Sequence, residues 1–166
     1  MCDIEYCKRA IFIAAGFGSR MVPITVNTPK PLVRVHGQRI IDGLIDACLK
    51  AGIEEIIVVR GYLGEQFDQL LCKYPMIKFI DNPYFEQANN ISSAYVARDY
   101  LKNAYVFEAD LLISNPDIIY AAHSGSEFLG IKTDHSDDWC FECDNGIIRR
   151  EKVGGDDCYQ MVGISY

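Results

Sequence analysis

The chain has 166 residues, 49% hydrophobic and 23% charged, which is the composition of a globular domain with a real core. Its net charge of −7 argues against nucleic acid as a partner, because nucleic-acid binding wants a basic face. No apolar run is long enough to span a bilayer, and Met1-Cys2-Asp3-Ile4-Glu5 lacks the pattern of a signal peptide, so the expected location is cytoplasmic, with no membrane partner.

Ala10 to Ile13 is an unbroken apolar run ending in Ala14 and Ala15, as in a strand buried on both faces of a parallel sheet. Gly16-Phe17-Gly18-Ser19-Arg20 follows at once. Two glycines there let the backbone turn sharply and bring several N–H groups toward one object. Thr28-Pro29-Lys30-Pro31 then returns a second cation toward the same loop, held by prolines that fix φ. A glycine-rich turn after a buried strand, flanked by Arg20 and Lys30, suits a polyphosphate. It is neither a dinucleotide fingerprint, since Arg20 and Met21 stand where a third glycine belongs, nor a P-loop, since no Gly-Lys-Ser/Thr is present.

Leu32 to Val35 reads as a short strand with its turn at His36-Gly37-Gln38. Ile40, Ile41, Leu44, Ile45, Cys48 and Leu49 recur at helical spacing, and Gly52 marks the end. Ile53 to Val59 is a second buried strand, broken by Gly61-Tyr62-Leu63-Gly64. A helix is expected over Glu65 to Lys73, a strand over Met76 to Ile80, a helix over Ile91 to Leu101 and a strand over Ala104 to Phe107. This alternation predicts an α/β fold with a mostly parallel sheet, whose ligands gather at the carboxyl ends of the strands. The glycine loop, Gly61-Tyr62 and Asp110 all lie at such ends. After Pro116 the character changes. Asn115 to His123 reads as a short helix. Four strands then follow, over Glu127 to Lys132, Trp139 to Asp144, Ile147 to Val153 and Tyr159 to Ser165, with Asp144-Asn145-Gly146 as a hairpin turn. The second half is therefore antiparallel.

There are seven cysteines, scattered and odd in number, which is no disulfide framework. Cys140 and Cys143 form a C-x-x-C without a second pair, so reduced thiols are favoured over a zinc site.

The run Phe12-Ile13-Ala14-Ala15-Gly16-x-Gly18-x-Arg20, then Pro23-x-Thr25, then Pro29-Lys30-Pro31-Leu32, resembles the opening of the nucleotidyltransferase (NTP transferase) family. These enzymes join an NTP to a phosphorylated small molecule. Asn82-Pro83-Tyr84, Asn89-Asn90, Ser93, Tyr95, Glu108-Ala109-Asp110, Asp137-Asp138-Trp139 and the stretch from Gly155 to Tyr166 resemble its phosphocholine cytidylyltransferase branch. The resemblance implies a Rossmann-like three-layer fold in a single domain over residues 1–166, and transfer of CMP from CTP to phosphocholine, yielding CDP-choline and pyrophosphate with Mg²⁺. It implies catalytic roles for Arg20, Lys30 and Asp110, with Asp110 on the metal and Glu108 standing where many members have aspartate. Ala14, Ala15, Gly16, Gly18, Ser19, Asn89, Asn90 and Ser93 would lie on the nucleotide, and Trp139 on the trimethylammonium group.

Chemistry agrees with this kit. A phosphomonoester, with its second pKa near ~6, is already largely ionised at neutral pH, so the reaction needs alignment of two anions rather than a strong base. A quaternary ammonium donates no hydrogen bond, so an aromatic face beside carboxylates is what recognises it. From the residues alone, Trp139 is equally readable as a core tryptophan, and Asn89 and Ser93 as helix caps. Sugar 1-phosphates and aminoalkylphosphonates are the alternative acceptors, and a nucleotide-binding module without turnover is the alternative of another class. The chain stops before the family's last segment, so either a fragment of a longer protein or an incomplete active site is expected, with a fused kinase domain left open. A truncated sheet exposes edges or apolar faces, for which a homodimer or aggregation is the expected consequence.

Overall fold

The computed structural model describes residues 4–166, which form two compact units, the first ending at Gly125 and the second running Ser126–Tyr166. Cys2, counted above among the thiols, lies outside the described residues.

The first unit contains, in chain order, β1 (Glu5–Tyr6), β2 (Arg9–Ala14), β3 (Arg34–Val35), β4 (Gln38–Arg39), α1 (Ile40–Lys50), β5 (Glu55–Arg60), β6 (Lys78–Asp81), α2 (Asn90–Val96), β7 (Ala104–Glu108) and β8 (Ala122–His123). Strands β6, β5, β2 and β7 lie side by side in that order, all parallel. Phe12 is in register with Val58 and Phe107, and all three are wholly buried. The rings of Phe12 and Phe107 stack at 4.9 Å. On the other face Ile11, Ile57 and Val59 pack with Ala97 and Ala104. A sheet covered on both sides explains why these strands read as continuous apolar runs rather than alternating ones.

Helix α1 forms where the spacing places it, burying Ile40, Ile41, Leu44, Ile45 and Cys48. Its start is held by a buried ion pair: Arg39 Nε sits 3.0 Å from both Asp42 oxygens, and the Arg39 N–H donates to the same carboxylate at 3.4 Å. Gly52 ends it with φ +82, and the Ile53 N–H donates to Cys48 O at 2.9 Å. Burial pushes the Cys7 and Cys48 thiols up, which keeps both as neutral core residues.

Four expectations in the first unit need correction. Leu32 to Val35 is not one strand: Leu32 ends a 3-10 turn, Lys30–Leu32, that precedes the two-residue β3, which pairs with β4 through His36 and Gly37, both at positive φ. Gly64–Cys72 is a 3-10 helix, not an α-helix. Three residues per turn align Phe67 with Leu70, which are buried, and turn Leu71 outward. The helix expected over residues 91–101 breaks at Ala97 into α2 and a 3-10 turn, Arg98–Tyr100; its inward side carries the buried Ser92 and Ser93 first, then Val96 and Ala97 on the apolar core. The helix expected from Asn115 shrinks to one 3-10 turn, Pro116–Ile118. Beyond it the backbone extends, because Ala121 O accepts the Cys7 N–H at 2.7 Å and β8 pairs with β1.

In the second unit the four expected strands become two long ones, β9 (Phe128–Asp144) and β10 (Ile147–Ser165). Asn145 and Gly146 take φ +50 and +78, so the hairpin turn stands as read. The polar stretch from Thr133 to Asp138 breaks the apolar alternation but not the strand, because it pairs with an equally polar stretch opposite. His135 Nδ1 lies 2.7 Å from Asp156 Oδ1, and Lys132 pairs with Asp157. Gly154 and Asp157, both at positive φ, let the ribbon bend. The bent ribbon doubles back, so that Phe141 pairs with Glu151 on one side and Tyr159 on the other. Cys140, Phe141, Cys158 and Ile164 fill the fold so made.

Candidate active site

The site of the first unit lies where the parallel strands end. Strand β2 ends at Ala14, and the loop after it is fixed by its neighbours. Ala15 O accepts the Tyr62 N–H at 3.0 Å, tying the loop to the residues after β5. Gly18 turns left-handed, φ +70, and its carbonyl accepts from Thr25 Oγ1 at 2.9 Å and from the Met21 N–H at 3.0 Å. A Cβ at Gly18 would also press on Thr25 and Lys30 at 3.1 and 3.2 Å, so the position needs glycine for both conformation and space. Among the described residues, none accepts from the N–H groups of Gly16, Phe17 and Gly18. Three such donors in one loop are what an anionic oxygen requires.

The loop, the Lys30–Leu32 turn, the start of α2 and the end of β7 enclose a cleft of about 260 Å³. Ala14, Gly16, Gly18, Ser19, Arg20, Lys30, Asn90 and Asp110 all line it, together with Glu108. Its centre is an ion pair: Lys30 Nζ lies 2.5 Å from Asp110 Oδ2, and each side chain is about a quarter exposed, at 25% and 28%. Arg20 is exposed and forms no ion pair among the described residues. Asn90 Nδ2 donates to Glu108 Oε1 at 3.2 Å. Glu108 and Asp110 stand two residues apart with buried Ala109 between them, whose N–H donates to Ile13 O at 3.2 Å, so both carboxylates face the cleft. Two carboxylates beside a phosphate-sized space fit Mg²⁺, which takes one or two such ligands and leaves the rest to phosphate and water.

Ala15, Asn89 and Ser93 line a smaller adjoining cavity of about 50 Å³, with Gly16 and Asn90 common to both. Ser93 is buried, and its hydroxyl accepts from Asn82 at 3.0 Å. Asn89 accepts from the Ile91 N–H at 3.4 Å as a helix cap. Trp139 belongs to the second unit, where it is exposed on β9 and so is not a core tryptophan. Asn82 and Phe85 also line the smaller cavity. In the sequence Asn82 stands only within the stretch that resembles the family, without a role, and nothing marks Phe85.

Gly61 packs the two walls together. A Cβ there would lie 2.7 Å from Phe85 Cγ and 2.9 Å from Ala15 O, a backbone atom already holding Tyr62. Gly61→Ala is expected to destabilise the first unit by roughly 1–3 kcal/mol, read as a lower urea midpoint with unchanged slope.

The sequence model of the family described as Nucleotidyl transferase matches residues 9–137. A 2-aminoethylphosphonate cytidylyltransferase of Lancefieldella rimae is 46% identical over 161 residues, which cover 95% of this chain and 65% of that protein. A choline-phosphate cytidylyltransferase of Streptococcus pneumoniae is 42% identical over 102 residues, covering 61% of this chain and 44% of that one. Among solved structures, a CTP:phosphocholine cytidylyltransferase from Streptococcus pneumoniae superposes with a TM-score of 0.81 at 30% identity, covering 95% of this chain and 69% of that chain. The chain thus spans less than two thirds of the length of the two relatives matched by sequence.

Proposed function

We infer the activity from one premise: the chain belongs to the nucleotidyl transferase family. The reaction we propose is transfer of CMP from CTP to a small acceptor with a phosphonate or phosphate at one end and an amine at the other. 2-Aminoethylphosphonate is the first reading of that acceptor, and phosphocholine the second. The observation that carries the chemistry is the convergence of the glycine loop, Arg20, Lys30 and Asp110 on one cleft. The order of acceptors rests on the relative that is 46% identical along 95% of the chain.

An oxygen of the acceptor's phosphonate attacks the α-phosphorus of CTP. The new O–P bond forms as the bond from the α-phosphorus to the bridging oxygen breaks, and pyrophosphate leaves with that electron pair. The N–H groups of Gly16, Phe17 and Gly18 donate to phosphate oxygens, and Lys30 and Arg20 oppose the charge that builds as pyrophosphate departs. Asp110 and Glu108 would hold a Mg²⁺ ion, which supplies neutralisation of the triphosphate. The acceptor anion is its own nucleophile, so no side chain has to take a proton.

Phosphocholine keeps one specific support. An exposed indole beside Asp137 and Asp138 suits a trimethylammonium group, whereas a primary ammonium can use carboxylates alone. Pyrophosphate release with Mg²⁺ and CTP, measured across 2-aminoethylphosphonate, phosphocholine, phosphoethanolamine and glucose 1-phosphate, separates the readings. The expected result is fastest release with 2-aminoethylphosphonate, unaffected by Trp139→Ala. Fastest release with phosphocholine, lost in Trp139→Ala, would exchange first reading for second. CTP binding with no release for any acceptor would leave a nucleotide-binding module.

A further inference from the structure

Asn82 follows directly on β6 and is 2% exposed. A buried amide is tolerated only when its donors and acceptor are satisfied, and here they are. Its Nδ2 donates to Ser92 Oγ at 2.9 Å and Ser93 Oγ at 3.0 Å, and its Oδ1 accepts from the Tyr84 N–H at 2.9 Å. Its backbone N–H donates to Arg60 O at 2.8 Å, which anchors it to the end of β5. Ser92 passes the connection on, since its Oγ donates to Asn89 O at 2.9 Å. One amide therefore ties two parallel-strand ends to the segment that carries Asn89 and Asn90.

The far end of that segment is held by packing, where Val96 and the buried Ala97 meet Ile11, Ile57 and Val59. Its start is not: helix α2 has seven residues, too few to be stable alone, and Ile91 and Tyr95 are 69% and 58% exposed. There the residues turned inward are Ser92 and Ser93, and what they meet is Asn82. Asn90 reaches Glu108 at 3.2 Å, and among the described residues no hydrogen bond joins the segment to Lys30, Arg20 or Asp110.

We propose that Asn82 is a positioning residue for nucleotide binding, acting through Ser92 and Ser93 to set Asn89 and Asn90 against the cleft; this rests on the nucleotidyl-transfer reading above. It touches no reacting atom. Its loss weakens capture of the nucleoside end of CTP and leaves the phosphate end and the chemical step intact.

The test is CTP binding by calorimetry and pyrophosphate-release kinetics on the full chain, for wild type, Asn82→Ala, Ser92→Ala/Ser93→Ala and the triple variant. In Asn82→Ala, Kd and KM for CTP should rise on the order of tenfold, the effect of two neutral hydrogen bonds, with kcat within about twofold. Inhibition by inorganic triphosphate should not change. The triple variant should be no worse than Asn82→Ala, because the three groups act as one unit. If Asn82→Ala does not fold, Ser92→Ala carries the test, with a rise of about threefold from one hydrogen bond. A lower melting temperature with wild-type Kd and KM would overturn the proposal, and so would additive effects in the triple variant. Absence of CTP binding and turnover in the wild type would sink the nucleotidyl-transfer reading instead.

Discussion

Asp110→Asn is expected to lower pyrophosphate release by on the order of 10²–10³-fold, with the melting temperature nearly unchanged. Asparagine fills the same volume and removes the charge. Asp110 is about a quarter exposed and sits at the cleft mouth of β7, so the fold does not depend on it. What the change removes is the partner of Lys30 at 2.5 Å and one of the two carboxylates proposed for a divalent cation. CTP binding in the absence of metal should be no weaker than in the wild type, since Lys30 is then released to the phosphates. Lys30→Met should lower release by a similar factor, and the double variant should fall short of the product, because the two side chains are one pair. Release above a tenth of wild type in Asp110→Asn would mean that the charge acts elsewhere, with Glu108 the next residue to replace.

The largest effect on stability belongs to a residue outside the cleft. Asp42→Ala should cost about 3–5 kcal/mol in urea unfolding, because it leaves the Arg39 guanidinium buried without its counter-charge. The two side chains are only 8% and 6% exposed. The same substitution removes the acceptor at the start of α1, where the Arg39 N–H points. Among the described residues no hydrogen bond or ion pair joins this pair to the cleft, so the residual folded protein should keep its KM for CTP. A cost below 1 kcal/mol would show that the pair is hydrated in solution and that burial of Ile41, Leu44 and Ile45 suffices to hold the helix.

The parallel sheet and the cleft were legible in the sequence for one physical reason. Strands buried on both faces must be apolar throughout, and loops that bind phosphate need glycine and cations. Both constraints act residue by residue, so Ala10 to Ile13 and Gly16 to Arg20 display them directly. The misreadings arose where a residue's role depends on a distant partner. Ser92 and Ser93 turn inward because Asn82 waits for them, which no helical periodicity reveals. Residues 119–123 are extended because the N-terminal strand offers them a ladder. Thr133 to Asp138 looked like a break because strands are recognised by apolar alternation, whereas this stretch is held by cross-strand charges. Asn145-Gly146 was readable because a two-residue turn with positive φ at both positions is a local demand.

The pairing of Lys30 with Asp110 also bears on how fast the proposed nucleotide would arrive. Arg20, Lys30, Glu108 and Asp110 are the charged residues lining the cleft, and their formal charges cancel. The chain around them carries −7. An approaching triphosphate therefore meets no attractive field beyond a Debye length, about 8 Å at physiological ionic strength. Encounter is left to ordinary diffusion, and added salt should speed it slightly rather than slow it. Selectivity among anions then resides in how long each one stays, not in how often it is delivered.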